Sequence, residues 1–288
     1  MKEFYPGNRF YGHGNIIRKY SGFPHWLPLP VCIQHGWTVK VSSHDARIDA
    51  PENWYWSFDI AKKTKEEYPH IKYRSIGSPF LYFLRNMHHK NIDSKLRNGT
   101  IVFPFHSTEL ISLDSSLDEY CYLLHQLPDE YKPISICVYH SDKKKGLDIF
   151  FTEKGFDVIC NGDDPCNDDF LYNFVINTRD KKYLISNEWS TAIHYGAIIG
   201  CRVHLYGPKV NVLKSDDKNF SENFRNLYSS FEIENRKIYS IENADVERQF
   251  IVANKELGMP HLVSKMRMFF LLWHLVLSKK YLNSFLHN

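Results

Sequence analysis

From residue 133 onward the chain alternates short apolar runs with longer, mixed stretches of helical length. Residues 133–139, 156–160, 183–186 and 202–206 each read as a β-strand. They are β-rich, continuously apolar and bounded by polar turns, as in strands covered on both faces. Helical stretches fill the gaps, through Lys154, over 167–178 and over 190–199, where Gly200 supplies a C-cap. Strands separated by helices in this way predict βαβ units and a parallel sheet.

The first half is less regular. Residues 29–34 and 99–104 predict strands, each running into a histidine, and 49–68, rich in Trp and Tyr, predicts a partly helical segment. Leu127 to Pro133 contains Pro-Asp-Glu-Tyr-Lys-Pro and reads as a linker. The expected fold is α/β, with two Rossmann-like domains facing a central cleft. The acceptor-side domain would cover 1–128 and a nucleotide-binding domain 133–260. A basic amphipathic helix over 261–288 would pack across both or lie at a membrane surface.

Composition adds three constraints. Aromatic residues make up 15% of the chain, with 18 Tyr and 20 Phe, which serves either a large core or sugar stacking. The net charge of +3 is concentrated at one end, because Lys265, Arg267, Lys279 and Lys280 follow Glu256 and no acidic residue does. That distribution argues against a nucleic-acid surface. Six cysteines without a CxxC pair read as buried thiols of a reducing compartment. The start, MKEFYPGNRF, lacks the apolar segment of a secretory signal. No stretch reaches the roughly 18 apolar residues needed to span a bilayer. The expected location is the cytoplasm, or the inner face of its membrane with 262–280 as the contact.

In an open parallel sheet, ligands bind beyond the carboxyl ends of the strands. That rule selects His140-Ser141, Gly162 after Asn161, the loop 186–191 and Gly207. Ser190 and Thr191 open a helix directly after a strand, so their hydroxyls and amides suit a donor phosphate, or simply cap the helix. Asn187 would join them, and Glu188 would reach a ribose diol or remain solvated. Ala192, Gly196 and Ala197 are small enough to bring that helix close to the sheet. In the first half, His35 and His106 stand at strand ends, as base or charge-balancing groups for sugar transfer. Glu109 and Asp45 are rival bases, and Ser107 with Thr108 would contact the donor. No HExxH, DxD or His/Cys spacing suggests a metal, and no GxGxxG or Walker sequence appears. No cofactor or metal is expected.

The segments HGN (13–15), QHGW (34–37), SIGSP (75–79), FPFHSTE (103–109), SNEWSTAIHYGAIIG (186–200) and ANKELGMP (253–260) together resemble glycosyltransferases of the two-domain GT-B type from bacterial surface-polysaccharide loci. The resemblance implies a nucleotide-sugar donor, with CMP-sugars of the sialyl- or Kdo-transferase kind preferred, and a glycan or lipid-linked glycan acceptor. It implies metal-independent chemistry, with the HST segment lining the cleft and Ser190 and Thr191 on the donor phosphate. The chain departs from the pattern in lacking the usual glutamate motif of large retaining enzymes and in being short. Two other readings stay open: a non-catalytic glycan-binding or assembly protein, and a nucleotide-sugar epimerase of similar fold.

Overall fold

Three short parallel strands organise the first of the two units into which the chain divides. The computed structural model describes residues 3–41, 44–87, 94–106, 111–114, 116–215 and 222–287. The first unit gathers Met1–His89, Pro165–Leu171 and Asn254–Asn288, and the second gathers Lys90–Asp164 and Tyr172–Ala253.

In the first unit, β1 (Val31–Ile33), β2 (Glu52–Tyr55) and β3 (Tyr73–Ser75) lie side by side in that order, all parallel. Every residue of β1 and β2 is buried, including Glu52. That carboxylate is tolerated because Arg74 grips both its oxygens at 2.9 Å and the Trp54 indole donates to it at 2.8 Å. The outer edge of β1 is closed by a side chain. Asn8 donates from Nδ2 to the Val31 carbonyl at 2.7 Å and accepts from the Ile33 N–H at 2.9 Å. One buried amide thus does the work of a missing neighbouring strand.

The helix Phe58–Glu67 links β2 to β3, started by Ser57, whose Oγ accepts from the Ile60 N–H. Residues 49–68 therefore hold a strand of four residues followed by a helix of ten. In the SIGSP segment, Ser78 caps the helix Pro79–Asn86 and Pro79 supplies its first turn. The ANKELGMP segment packs here. A Cβ at Gly258 would sit 1.8 Å from the Trp56 carbonyl oxygen, so only glycine fits, and its φ of 71° independently asks for one. The Ser78 N–H donates to the Leu257 carbonyl at 2.8 Å, and the Trp37 indole to Glu256 at 2.8 Å.

The stretch 261–288, which the sequence sets apart, belongs to this same unit. Its helix Lys265–Val276 buries Met268 and Leu272, and Phe23 packs on Trp273 at 5.5 Å. The next helix, Lys279–His287, is anchored by Tyr281, which donates to the Pro28 carbonyl at 3.0 Å. Among the described residues no helix is long and apolar enough to cross a membrane.

The second unit contains β4 (Thr100–Val102), β5 (Ile111–Asp114), β6 (Ile134–Val138), β7 (Asp157–Cys160), β8 (Tyr183–Ser186), β9 (Arg202–Leu205) and β10 (Asn211–Ser215). Five of these form one sheet in the order β7-β6-β4-β8-β9, parallel throughout. The remaining two, β5 and β10, pair antiparallel. The βαβ rhythm expected after residue 133 is present. Strand β4, read from sequence as part of the first domain, is instead the centre of this sheet. Its three residues pair with β6 on one side and β8 on the other, and so short a run carries no sign of distant partners. The linker expected over 127–133 lies within the unit, as the short connection from the helix Leu117–His125 to β6.

Val102, Ile136, Val138, Tyr183 and Ile185 of the sheet pack with Tyr120, Leu124 and Phe151 in one buried cluster. On the helix Thr191–Ile198, a Cβ at Gly196 would meet Leu184 Cδ1 at 2.5 Å, so the close approach expected from the small residues is realised. The β9 edge is closed as β1 is, by a buried amide. Gln249 accepts from the Val203 N–H at 3.0 Å and donates to the Val203 carbonyl at 2.7 Å.

Two histidines lie inside this second unit, His194 and His204. Burial disfavours their charged forms and lowers them to about 3 and about 4. The unfolded chain protonates both near pH 6.5, and the folded unit refuses those protons until far lower pH. Stability is therefore complete above pH 6.5 and lost as pH falls. The loss approaches about 3 kcal/mol per pH unit between roughly pH 6 and 4. Urea unfolding followed from pH 7.5 to 4.5 should show such a fall, and the variant His194→Phe should reduce its slope by about 1.4 kcal/mol per pH unit. A flat profile in the parent would contradict the assignment.

Candidate functional site

The chain builds the five-stranded sheet outward from β4, first to β6 and β7 and then, on the other side, to β8 and β9. The reversal leaves a crevice between β4 and β8 at their carboxyl ends, the place where doubly wound sheets hold ligands. Two of the segments singled out from sequence meet there. After β4, the Phe103 N–H continues the ladder to the Ile185 carbonyl at 2.8 Å. Two residues on, the Phe105 N–H donates to Asn187 Oδ1, also at 2.8 Å. Asn187 is buried, and its Nδ2 donates to the Pro208 carbonyl at 3.2 Å. A single amide therefore ties together the loops after β4, β8 and β9. Gly207 completes the junction with a φ of 125°, where a Cβ would be 2.5 Å from the Tyr120 ring.

The helix Thr191–Ile198 begins beside this junction. Ser190 is extended (φ −151°, ψ 167°) and its side chain does not cap the helix. Its Oγ is buried without a hydrogen-bond partner among the described residues. The first-turn N–H groups and this hydroxyl form an electropositive end suited to a phosphate. Glu188 is already engaged, since its carboxylate accepts from the Trp189 N–H at 3.0 Å and from the Tyr228 hydroxyl. It braces the loop against the helix Glu222–Asn235, which weakens its candidacy as a ribose ligand.

The other predicted residues fan out along the same sheet edge. His106 follows β4 and stacks on Tyr139 beyond β6, centroids 3.9 Å apart. Tyr139 in turn lies 4.1 Å from His140. Both ring nitrogens of His140 are buried without hydrogen-bond partners among the described residues. Its proton affinity is lowered by burial first and by the Lys144 charge second. Ser141 is on the same short helix, His140–Lys143. Gly162 stands beyond β7, at the sheet's outer edge and two strands from the crevice; its carbonyl accepts from the Cys160 thiol at 3.0 Å. Ser107, Thr108 and Glu109 lie outside the described residues. Tyr139 is the residue sequence reasoning missed. The signal was available, because it directly follows a strand whose next residue was already a candidate.

His35 and Asp45 belong to the first unit, where they are partners rather than rivals. The His35 Nδ1–H donates to Asp45 Oδ2 at 2.8 Å, and the His35 backbone N–H reaches the same oxygen at 3.2 Å. The Asp45 side chain is 2% exposed and that of His35 is 35% exposed. With Nδ1 committed to the carboxylate, Nε2 is the nitrogen free to take a proton. Burial opposes protonation of this ring, yet the charge and hydrogen bond of Asp45 outweigh it and raise the pKa. Gln34 before it is a brace, accepting from the Trp56 N–H at 3.0 Å and donating to the Gly36 carbonyl at 2.8 Å. His13 nearby is fully buried and lowered to about 3, chiefly by burial. Among the described residues no three His, Cys, Asp or Glu side chains converge as a metal site would require.

Two outcomes follow from these geometries. Asn187→Ala leaves the Phe105 N–H and the Pro208 carbonyl without their partner, and should cost about 2 kcal/mol or more in urea unfolding. A loss within error would show that the junction does not depend on it. For His35, removing the neighbouring charge in Asp45→Asn leaves burial unopposed. The midpoint of the His35 ring in an NMR titration should then fall below that of the parent, and an unchanged or higher midpoint would refute the pairing.

No protein-family model, curated protein or solved structure matches this chain.

Proposed function

We propose that this protein is a glycosyltransferase, moving a sugar from a nucleotide-sugar donor to a hydroxyl of a bacterial surface glycan. The observation that carries this reading is the crevice of the second unit. There a parallel sheet reverses its strand order beside a helix N-terminus and the unpartnered Ser190 hydroxyl. That combination is suited to the phosphate of a nucleotide. The stacked pair His106 and Tyr139 suits a base or a sugar ring. A CMP-sugar is the preferred donor class, following the resemblance to sialyl- and Kdo-transferases.

Transfer requires that an acceptor oxygen lose a proton while its bond to the anomeric carbon forms. The bond from that carbon to the phosphate oxygen breaks, and the nucleotide departs with the electron pair. Negative charge then grows on the phosphate, where first-turn N–H groups and Ser190 can stabilise it. His35 has the properties of the proton acceptor: a half-exposed ring, Nδ1 fixed by Asp45 and Nε2 open.

Calorimetric titration with CMP, UDP and GDP is the direct test. One of them should bind, and Ser190→Ala with Thr191→Ala should weaken it about tenfold or more, from loss of charge-assisted bonds. With the matching sugar nucleotide, His35→Ala should retain binding but lose about 10²–10⁴-fold in turnover. Absence of binding by all three at millimolar concentration would end the transferase reading. Binding without hydrolysis or transfer in the parent would favour a non-catalytic role.

A further inference from the structure

Folding leaves one helix with apolar side chains on opposite faces. Lys265–Val276 turns Met268 and Leu272 into the first unit. Met266 and Phe270 remain 71% and 62% exposed, and Leu277 just past the last turn is 77% exposed. Positions 266, 270, 273 and 277 follow the i, i+4, i+7, i+11 spacing of a single stripe, opposite the buried one. An exposed tryptophan is carried nearby. Trp26 is 66% exposed on the loop whose Phe23 packs on Trp273. So large an apolar face on a folded surface marks a contact with something outside the unit.

Charge narrows what that something is. Lys265, Arg267 and Lys279 are exposed around the stripe, and no Asp or Glu occurs anywhere after Glu256. A second copy docking through a two-fold axis would press these same cations against one another, with no carboxylate of the segment to neutralise them. A bilayer with anionic headgroups meets both demands at once, taking the apolar stripe into its interface and the cations at its surface. An interfacial tryptophan has the same preference. With no helix among the described residues long enough to cross a membrane, the contact is one of lying on the surface. We propose that the face of Met266, Phe270 and Leu277, ringed by Lys265, Arg267 and Lys279, binds the anionic surface of a lipid bilayer. The proposal is independent of the donor site and survives if the transferase reading fails.

Flotation of the full chain with vesicles tests it. Phosphatidylcholine vesicles containing phosphatidylglycerol should carry the protein at low salt, phosphatidylcholine alone should carry much less, and about 0.5 M salt should release it. Met266→Glu with Phe270→Glu alters only exposed positions, so it should melt as the parent does and lose flotation. Arg267→Gln with Lys279→Gln should weaken binding to anionic vesicles about 25-fold, at about fivefold per cation. Failure of the parent to float, or undiminished flotation of the double glutamate variant, would overturn the proposal. So would sedimentation of the parent as a dimer that this variant dissociates.

Discussion

Asn187 is the constraint on which the candidate site depends. A parallel sheet ends in loops that share no backbone ladder, so something must hold their relative positions where the ladder stops. Here one buried amide accepts from the loop after β4 and donates to the loop after β9, while its own backbone belongs to the loop after β8. Gly207 lets the loop after β9 come close enough. The position of the helix start at Thr191, and of the Ser190 hydroxyl beside it, follows from that knot. The same device appears at one edge of each parallel sheet, where Asn8 closes β1 and Gln249 closes β9. Carboxamides suit these places because each offers a donor and an acceptor and carries no charge to desolvate.

Histidine plays two opposite parts in this protein. His194 and His204 are core residues, held neutral by their apolar surroundings. His35 is kept basic by a buried carboxylate and presents one nitrogen outward. His106 and His140 occupy the middle ground, joined by stacking through Tyr139 along the sheet edge. A count of 15 histidines hints at chemistry, but only their surroundings separate packing from function.

Those surroundings explain what the sequence did and did not disclose. The second-half strands were legible because their apolar runs are bounded by helices of ordinary length. The close helix approach at Gly196 was legible because small residues cluster there. Strand β1 was legible in the apolar run 29–34, but β2 and β3 were not, since three or four residues establish no period. β2 even carries a glutamate, rendered harmless by Arg74 from the next strand and by the Trp54 indole. The central place of β4 rests on pairing with β8, more than eighty positions away by their register at Thr100 and Tyr183. Likewise the pairing of His35 with Asp45 depends on the path of the loop between β1 and β2, which no local pattern encodes. Sites at strand ends can be read as positions; which of them meet is decided by the fold.

The discontinuity of the first unit bears on how the chain comes into being. Its three strands are all made within the first 89 residues, yet Leu257, Gly258 and Leu262, which cover the ends of β2 and the turn at Gly77, are made far later. A ribosome therefore releases these strands into solution with one side bare. The intervening β4–β9 sheet, complete by Leu205, emerges whole before that cover arrives. The order of synthesis and the order of assembly are thus reversed: the five-stranded sheet is positioned to finish first, and the strands β1 to β3 wait for residues 257–262.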